Sequence, residues 1–212
     1  MLQGRLGNIP QARKIIDGLK TTNRQEQTVK ALTMASIYRD AGRTDLAVDL
    51  LVKADKSMPN SSEIKYDLGM LYERQGKYDD FEKMMRRVIE LEPDNANAYN
   101  SLGYTLVEQN TRLDEAQDLL EKALQLEPDS PFILDSVGWY FYRTNDLPAA
   151  LEYLQRSYDL MPLGDVAAHL GEVLWKLNRH EDARRVWRTG MEKEPGNEAL
   201  LKTLERFKVK KP

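Results

Sequence analysis

Cysteine is absent from the 212 residues, which excludes a disulfide framework and a thiolate metal site and leaves the redox compartment open. Histidine is nearly absent. His169 and His180 are the two, and they lack an HExxH pattern or cysteine company, so no metal is expected. No run approaches the roughly 18 apolar residues that span a bilayer, so membrane insertion of this chain is not expected. The opening MLQGRLGNIPQARK has no apolar core of a secretory signal. A large excess of charge of either sign is also missing. A formal net charge of -3 argues against phosphate-backbone binding, which needs clustered Lys and Arg, and the terminal RFKVKKP reads as a solvated end, so no nucleic-acid partner is expected. There is no GxSxG elbow, and Gly76-Lys77 has no glycine five residues upstream to make a phosphate loop. Asp79-Asp80 and Glu181-Asp182 stand at predicted helix starts, where the helix dipole favours negative charge. No catalytic residue and no cofactor is assigned, and the chain is not expected to be an enzyme.

What the chain does have is a period. Ala12, Ala47, Phe81, Ala116, Ala150 and Ala183 follow one another at steps of 35, 34, 35, 34 and 33 residues. Ile16, Leu51, Met85, Leu120, Leu154 and Trp187 repeat those steps four positions later, and prolines close the units at Pro59, Pro93, Pro128, Pro162 and Pro195. Ahead of each small residue comes a second apolar set at helical spacing, such as Leu68, Gly69, Tyr72 or Val137, Gly138, Phe141. Each unit therefore holds two helices, the first ending near Gly42, Gly76, Asn110, Asn145 or Asn178, residue types that tolerate the left-handed conformation that closes a helix. Ser130-Pro131 and the Asn60/Glu63 pair read as start signals.

This pattern resembles the tetratricopeptide repeat family. In DNANAYNSLGYTLVEQNTRLDEAQDLLEKALQLEPD the family's marker positions fall on Tyr99, Leu102, Gly103, Ala116, Leu120, Ala123 and Pro128, with one extra residue in the turn before Leu113. The resemblance implies an all-α fold: a right-handed superhelical solenoid of antiparallel helix pairs. Five complete units are expected at 28–61, 62–95, 96–130, 131–163 and 164–196, after a truncated repeat at 1–27 that is mainly a second helix. Residues 197–212 are expected to supply a capping helix and basic tail. The half unit at the start reads as the mark of a longer protein.

The family pattern also sorts the sequence DSVGWYFYR, four adjacent aromatics in a chain that is 8% aromatic. Phe141 takes the bulky core position and Tyr140 is expected to pack against the preceding unit's second helix, whereas Trp139 and Tyr142 are expected on the concave face. The same count gives a partner-binding groove of Tyr66 and Met70, then Asn97, Asn100 and Tyr104, then Phe132, Asp135, Trp139 and Tyr142, then His169, Glu172 and Trp175. Aromatic rings and amides suit the capture of a peptide or protein partner. The Lys and Asn clamp that some family members use for a terminal carboxylate is missing, because its positions hold Leu32 and Ser36, Tyr66 and Met70, or Asn100 and Tyr104.

Two functional readings stay open: a scaffold or adaptor that binds a partner in the groove, and a structural, self-associating array that supports an activity elsewhere in a longer protein. The run from DSVGWYFYR to ARRVWRTG also resembles the C-terminal repeats of proteobacterial cell-envelope tetratricopeptide (lipo)proteins. That resemblance implies a periplasmic or outer-membrane-associated adaptor in envelope assembly or proteolysis, with a cytoplasmic location as the alternative.

Overall fold

The computed structural model describes residues 9–209. The upstream remnant expected in residues 1–8 and the end of the basic tail lie outside them. Among the described residues every regular element is a helix: α1 (Ile9–Asp17), α2 (Arg24–Asp40), α3 (Thr44–Ser57), α4 (Ser62–Arg74), α5 (Tyr78–Leu91), α6 (Ala96–Glu108), α7 (Leu113–Leu126), α8 (Pro131–Arg143), α9 (Leu147–Leu160), α10 (Gly164–Lys176), α11 (His180–Lys193) and α12 (Glu198–Arg206).

The turns within the pairs follow from the residue types at their phase. Gly42, Gly76, Asn110, Asn145 and Asn178 all have positive φ, between 53° and 71°. The amide that follows each one reaches back to the carbonyl five residues before it: Arg43 to Tyr38, Lys77 to Tyr72, Thr111 to Leu106, Asp146 to Phe141 and Arg179 to Leu174, at 2.8–3.1 Å. This is the Schellman closure, which satisfies carbonyls that the helix end leaves free. The extra residue in the third full turn has a visible cost. Arg112, just before α7, also sits at positive φ, 46°, where a side chain with a Cβ is disfavoured.

Two start signals differ from expectation. The cap of α4 is Ser61, not Asn60: its hydroxyl accepts from the Ile64 amide and donates to Glu63. Ser130 does precede Pro131 at the start of α8, but its side chain makes no capping bond; the proline, which has no N–H to satisfy, serves there without one. Upstream, α2 begins at Arg24, where Asn23 accepts from the Glu26 amide, four residues before the first expected unit.

The chain divides into two compact units, 1–98 and 99–212. In the first, the core runs through Ala12, Ile16, Met34, Ala35, Tyr38, Ala47, Leu51, Ile64, Leu68 and Leu71. Phe81 is buried as well, but its ring is not the nearest neighbour of Gly69. A Cβ on that glycine would run into the Met85 methyl and Met84, with only the Phe81 backbone oxygen close by. In the second unit the core around α9 to α12 is organised by Trp187, with Leu154, Leu170, Val173, Leu174, Ala183, Leu200 and Leu204. Gly171 is required there: a Cβ would overlap the Trp187 indole. A glycine inside a helix costs up to ~1 kcal/mol against alanine, and close approach of the indole offsets it.

Candidate partner-binding face

The twelve residues expected to line one groove fall on both units, and the structure treats them differently. In the first unit Tyr66 and Met70 are half-buried and Asn97 is exposed. Tyr66 and Asn97 line a recess of about 190 Å³ together with Leu32, Ser62, Glu63, Asp67, Glu92 and Asn95; Met70 is not part of it. Burial pushes the Asp67 carboxyl up, against the pull of Arg39.

In the second unit the first helices α8, α10 and α12 lie side by side, α10 touching both neighbours. Asp135, Trp139, His169 and Glu172 are all buried there, a correction to their expected place on an open surface. Trp139 is 6% exposed and Tyr140 8%, whereas Phe141 and Tyr142 are half-buried. The expected division of the four rings therefore does not hold for Trp139 or Phe141. The reason lies in partners on the same helix and one repeat away. Trp139 stacks on Tyr142 (centroids 4.6 Å apart, 16° between planes) and on His169 (4.1 Å, 19°), so three rings form a column, with the Lys176 ammonium 4.4 Å over the Tyr142 face. Each ring also meets its own carboxylate. The Trp139 Nε1–H donates to Glu108 at 2.5 Å, the Tyr142 hydroxyl donates to Glu172 at 3.2 Å, and His169 Nδ1 lies 3.0 Å from both oxygens of Asp135. Glu172 accepts in addition from Thr203 at 3.0 Å and from Arg206.

These contacts set the electrostatics. Burial, then the Glu172 charge and hydrogen bond, push the Tyr142 hydroxyl up to about 12, with Arg206 and Arg143 opposing. For His169 burial is the largest single influence and pulls its pKa down. The Asp135 charge and hydrogen bond, with Glu172 and Glu108, outweigh it and hold the imidazole above its ordinary value.

Trp175 does not join the column. It stacks on Trp187 at 5.5 Å, beside Phe207 and His180, and so packs on the C-terminal core. Tyr104 is half-buried, its ring 6.4 Å from His169. Asn100 is half-buried too, and its Oδ1 is buried without a hydrogen-bond partner. Phe132 is the one residue of the set in this unit left wide open, 58% exposed, one turn ahead of Asp135 on α8. Glu108, Arg143, Lys176, Thr203 and Arg206 were not among the expected residues. Their signal was available in the sequence: the bonded pairs are 30–35 residues apart, close to the repeat length, so a polar residue one period from a ring was the thing to look for.

No group of three or more His, Cys, Asp or Glu side chains among the described residues could hold a metal ion, and no described helix is long and apolar enough to cross a membrane.

Family models described as tetratricopeptide repeat match residues 38–103, 94–162 and 164–189. A TPR repeat-containing protein of Pseudomonas aeruginosa is 37% identical over 166 residues, 78% of this chain; the chain spans 28% of that relative's length. Among solved structures, a thermophilic TPR protein of Thermus thermophilus aligns with a TM-score of 0.74 at 17% identity, over 85% of this chain and 98% of that one. PilW, described as a widely conserved type IV pilus biogenesis factor, aligns with a TM-score of 0.71 at 18% identity, over 86% of each chain.

Proposed function

The chain belongs to the tetratricopeptide repeat family, a fold that serves as a protein–protein interaction scaffold, and from that premise we propose that it is an adaptor whose 99–212 unit docks a peptide or protein partner along the first-helix face. The observation that carries this reading is the exposed Phe132 ring at the start of α8, a helix whose later side chains Trp139 and Tyr142 are already fixed by stacking and hydrogen bonds. An aromatic anchor on a pre-ordered surface gains contact area with little entropy to lose. We assign the half-buried Tyr104, Asn100 and Tyr142 to the same binding face. Trp139, Asp135, His169 and Glu172 act beneath it as support, and the role is binding without catalysis.

An envelope setting, periplasmic or outer-membrane-associated, is supported by the pilus-biogenesis description of a structural neighbour. The test is a pull-down from envelope and cytoplasmic fractions with the full chain as bait, followed by titration of the captured partner. Phe132→Ala should weaken binding by about 2 kcal/mol, or roughly thirty-fold, with an unchanged melting temperature. Equal binding by the variant would remove Phe132 as anchor.

The self-associating reading rests on a different place. Ile15, Leu19 and Val29 are large apolar side chains more than half exposed, and Leu19 and Val29 line a recess of about 480 Å³ with Ile16, Lys20 and Lys30. Light scattering on the chain and on Val29→Ser separates the two readings: a dimer lost on substitution favours association.

A further inference from the structure

The adaptor reading makes no use of the charge on a deeply buried pair. His169 of α10 and Asp135 of α8 meet inside the second unit with both carboxylate oxygens 3.0 Å from Nδ1. Their side chains are 11% exposed. The imidazole lies flat against the Trp139 indole, 4.1 Å between centroids, and near the Tyr104 ring. The groups that face it come from every neighbouring first helix: Glu108 of α6, Asp135 of α8 and Glu172 of its own α10 on the negative side. On the positive side Arg143 of α8 reaches Glu108 at 3.5 Å, Arg206 of α12 binds Glu172, and Lys176 covers Tyr142.

We propose that the Asp135–His169 pair is a protonation-operated latch between α8 and α10. With both ring nitrogens protonated, Nδ1–H donates to the Asp135 carboxylate, and the imidazolium supplies a positive charge that no other described side chain bonded to this carboxylate provides. The cation also rests on the electron-rich face of Trp139, which attracts it. When the ring gives one proton to solvent, the Nδ1–H bond can persist, but Asp135 is left a buried carboxylate without the counter-charge that the imidazolium supplied, and such a charge is expensive to keep. The attraction between the two helices falls, and the ring column that depends on their spacing loosens with it. Burial opposes the charged ring, yet the surrounding carboxylates outweigh it and hold the protonated form above the ordinary imidazole range near 6.5. A folded-state pKa above the unfolded one contributes stability that is complete below the unfolded value and is lost as pH rises through the folded value. The latch is therefore closed under mildly acidic conditions and released toward alkaline pH.

The experiment is an NMR titration of the two imidazoles in the full chain, with amide hydrogen-exchange protection factors for α8 and α10 measured across the same pH range. His180→Gln assigns the signals, and far-UV circular dichroism checks that each variant folds. The expected result is that His169 titrates above the ordinary range and that protection in α8 and α10 falls several-fold as pH crosses its pKa, while α2 and α3 hold steady. In His169→Gln that step should vanish. In Asp135→Asn, where burial acts against a weaker opposition, His169 should titrate lower than in the native chain. A native His169 pKa at or below the ordinary value, or the same loss of protection in His169→Gln, would overturn the latch. If His169→Gln does not fold, the native titration and the Asp135→Asn shift decide the matter alone.

Discussion

The first helices of the two units are made by the same repeat grammar and spend their surfaces differently. In α4 the buried residues are Ser62, Ile64, Lys65, Leu68, Gly69 and Leu71, an amphipathic pattern, and the remaining side carries Tyr66 and Asp67 into an open recess. In α8 the run Ile133–Tyr140 is buried without a break, and in α10 the run Val166–Leu174. A helix buried all round has neighbours on every side. For α10 these are its pair partner α11, the adjoining α9, and α8 and α12 flanking its first-helix face. The difference teaches that the inner side of a repeat is not committed to a partner by its position. In one unit it is left as a recess with a raised Asp67. In the other it is filled by side chains that tie one repeat to the next.

The strongest way to sharpen this comparison is through the cores, where the two units should behave alike and separately. Trp187→Ala should cost about 3–5 kcal/mol, and Phe81→Ala about as much, because each leaves a cavity where a buried ring stood. Repeat arrays couple mainly to neighbours. Hydrogen exchange should therefore lose protection in α10 to α12 for the first substitution and in α4 and α5 for the second; a uniform loss over the whole chain in either case would count against two separately cored units.

A smaller effect discriminates the inner faces. Trp139→Ala removes a buried, doubly stacked and hydrogen-bonded ring and should lower stability by about 2–4 kcal/mol. Tyr66→Ala, on the open recess, should cost less than half as much. Phe141→Ala, half-buried against Tyr153, should fall between them. Thermal melts in that order support the contrast, and equal losses for Trp139 and Tyr66 would break it.

The smallest expected effect is a pH dependence carried by one hydroxyl of the second unit. The Tyr142 hydroxyl has its pKa raised from 10 to about 12. A raised acid favours the protonated folded state, so its contribution is complete below pH 10 and lost as pH climbs toward 12. Denaturant titrations at pH 9 and pH 11 should show a drop that Tyr142→Phe reduces, with Tyr72 and Tyr140, also shifted up by burial, supplying the rest. A drop of the same size in Tyr142→Phe would assign it to other groups.

The fold was legible because its signals recur. Steps of 33–35 residues between small positions and the Gly or Asn at each turn depend on backbone geometry, and the positive φ values at Gly42, Gly76, Asn110, Asn145 and Asn178 are what that chemistry demands. The site was less legible because a family position says which way a Cβ points and not what a long side chain will find there. Trp139 occupies the expected place, but Glu108 and His169 on adjacent repeats close over it. Trp175 has the same assignment and turns to Trp187. Phe81 occupies a small-residue position, and the space beside Gly69 goes to Met85, whose flexible side chain can enter it.

The three carboxylate-tied rings also bear on how such an array can change. Every tie joins residues from different repeats, Trp139 to Glu108, Asp135 to His169, Tyr142 to Glu172, so these repeats carry addresses as well as a shared shape. A unit inserted between α9 and α10 would keep the helix pairing and yet part His169 from Asp135 and Tyr142 from Glu172. Units built this way are not interchangeable parts. The stretch from α6 to α12 must be inherited, transplanted or engineered as a single block.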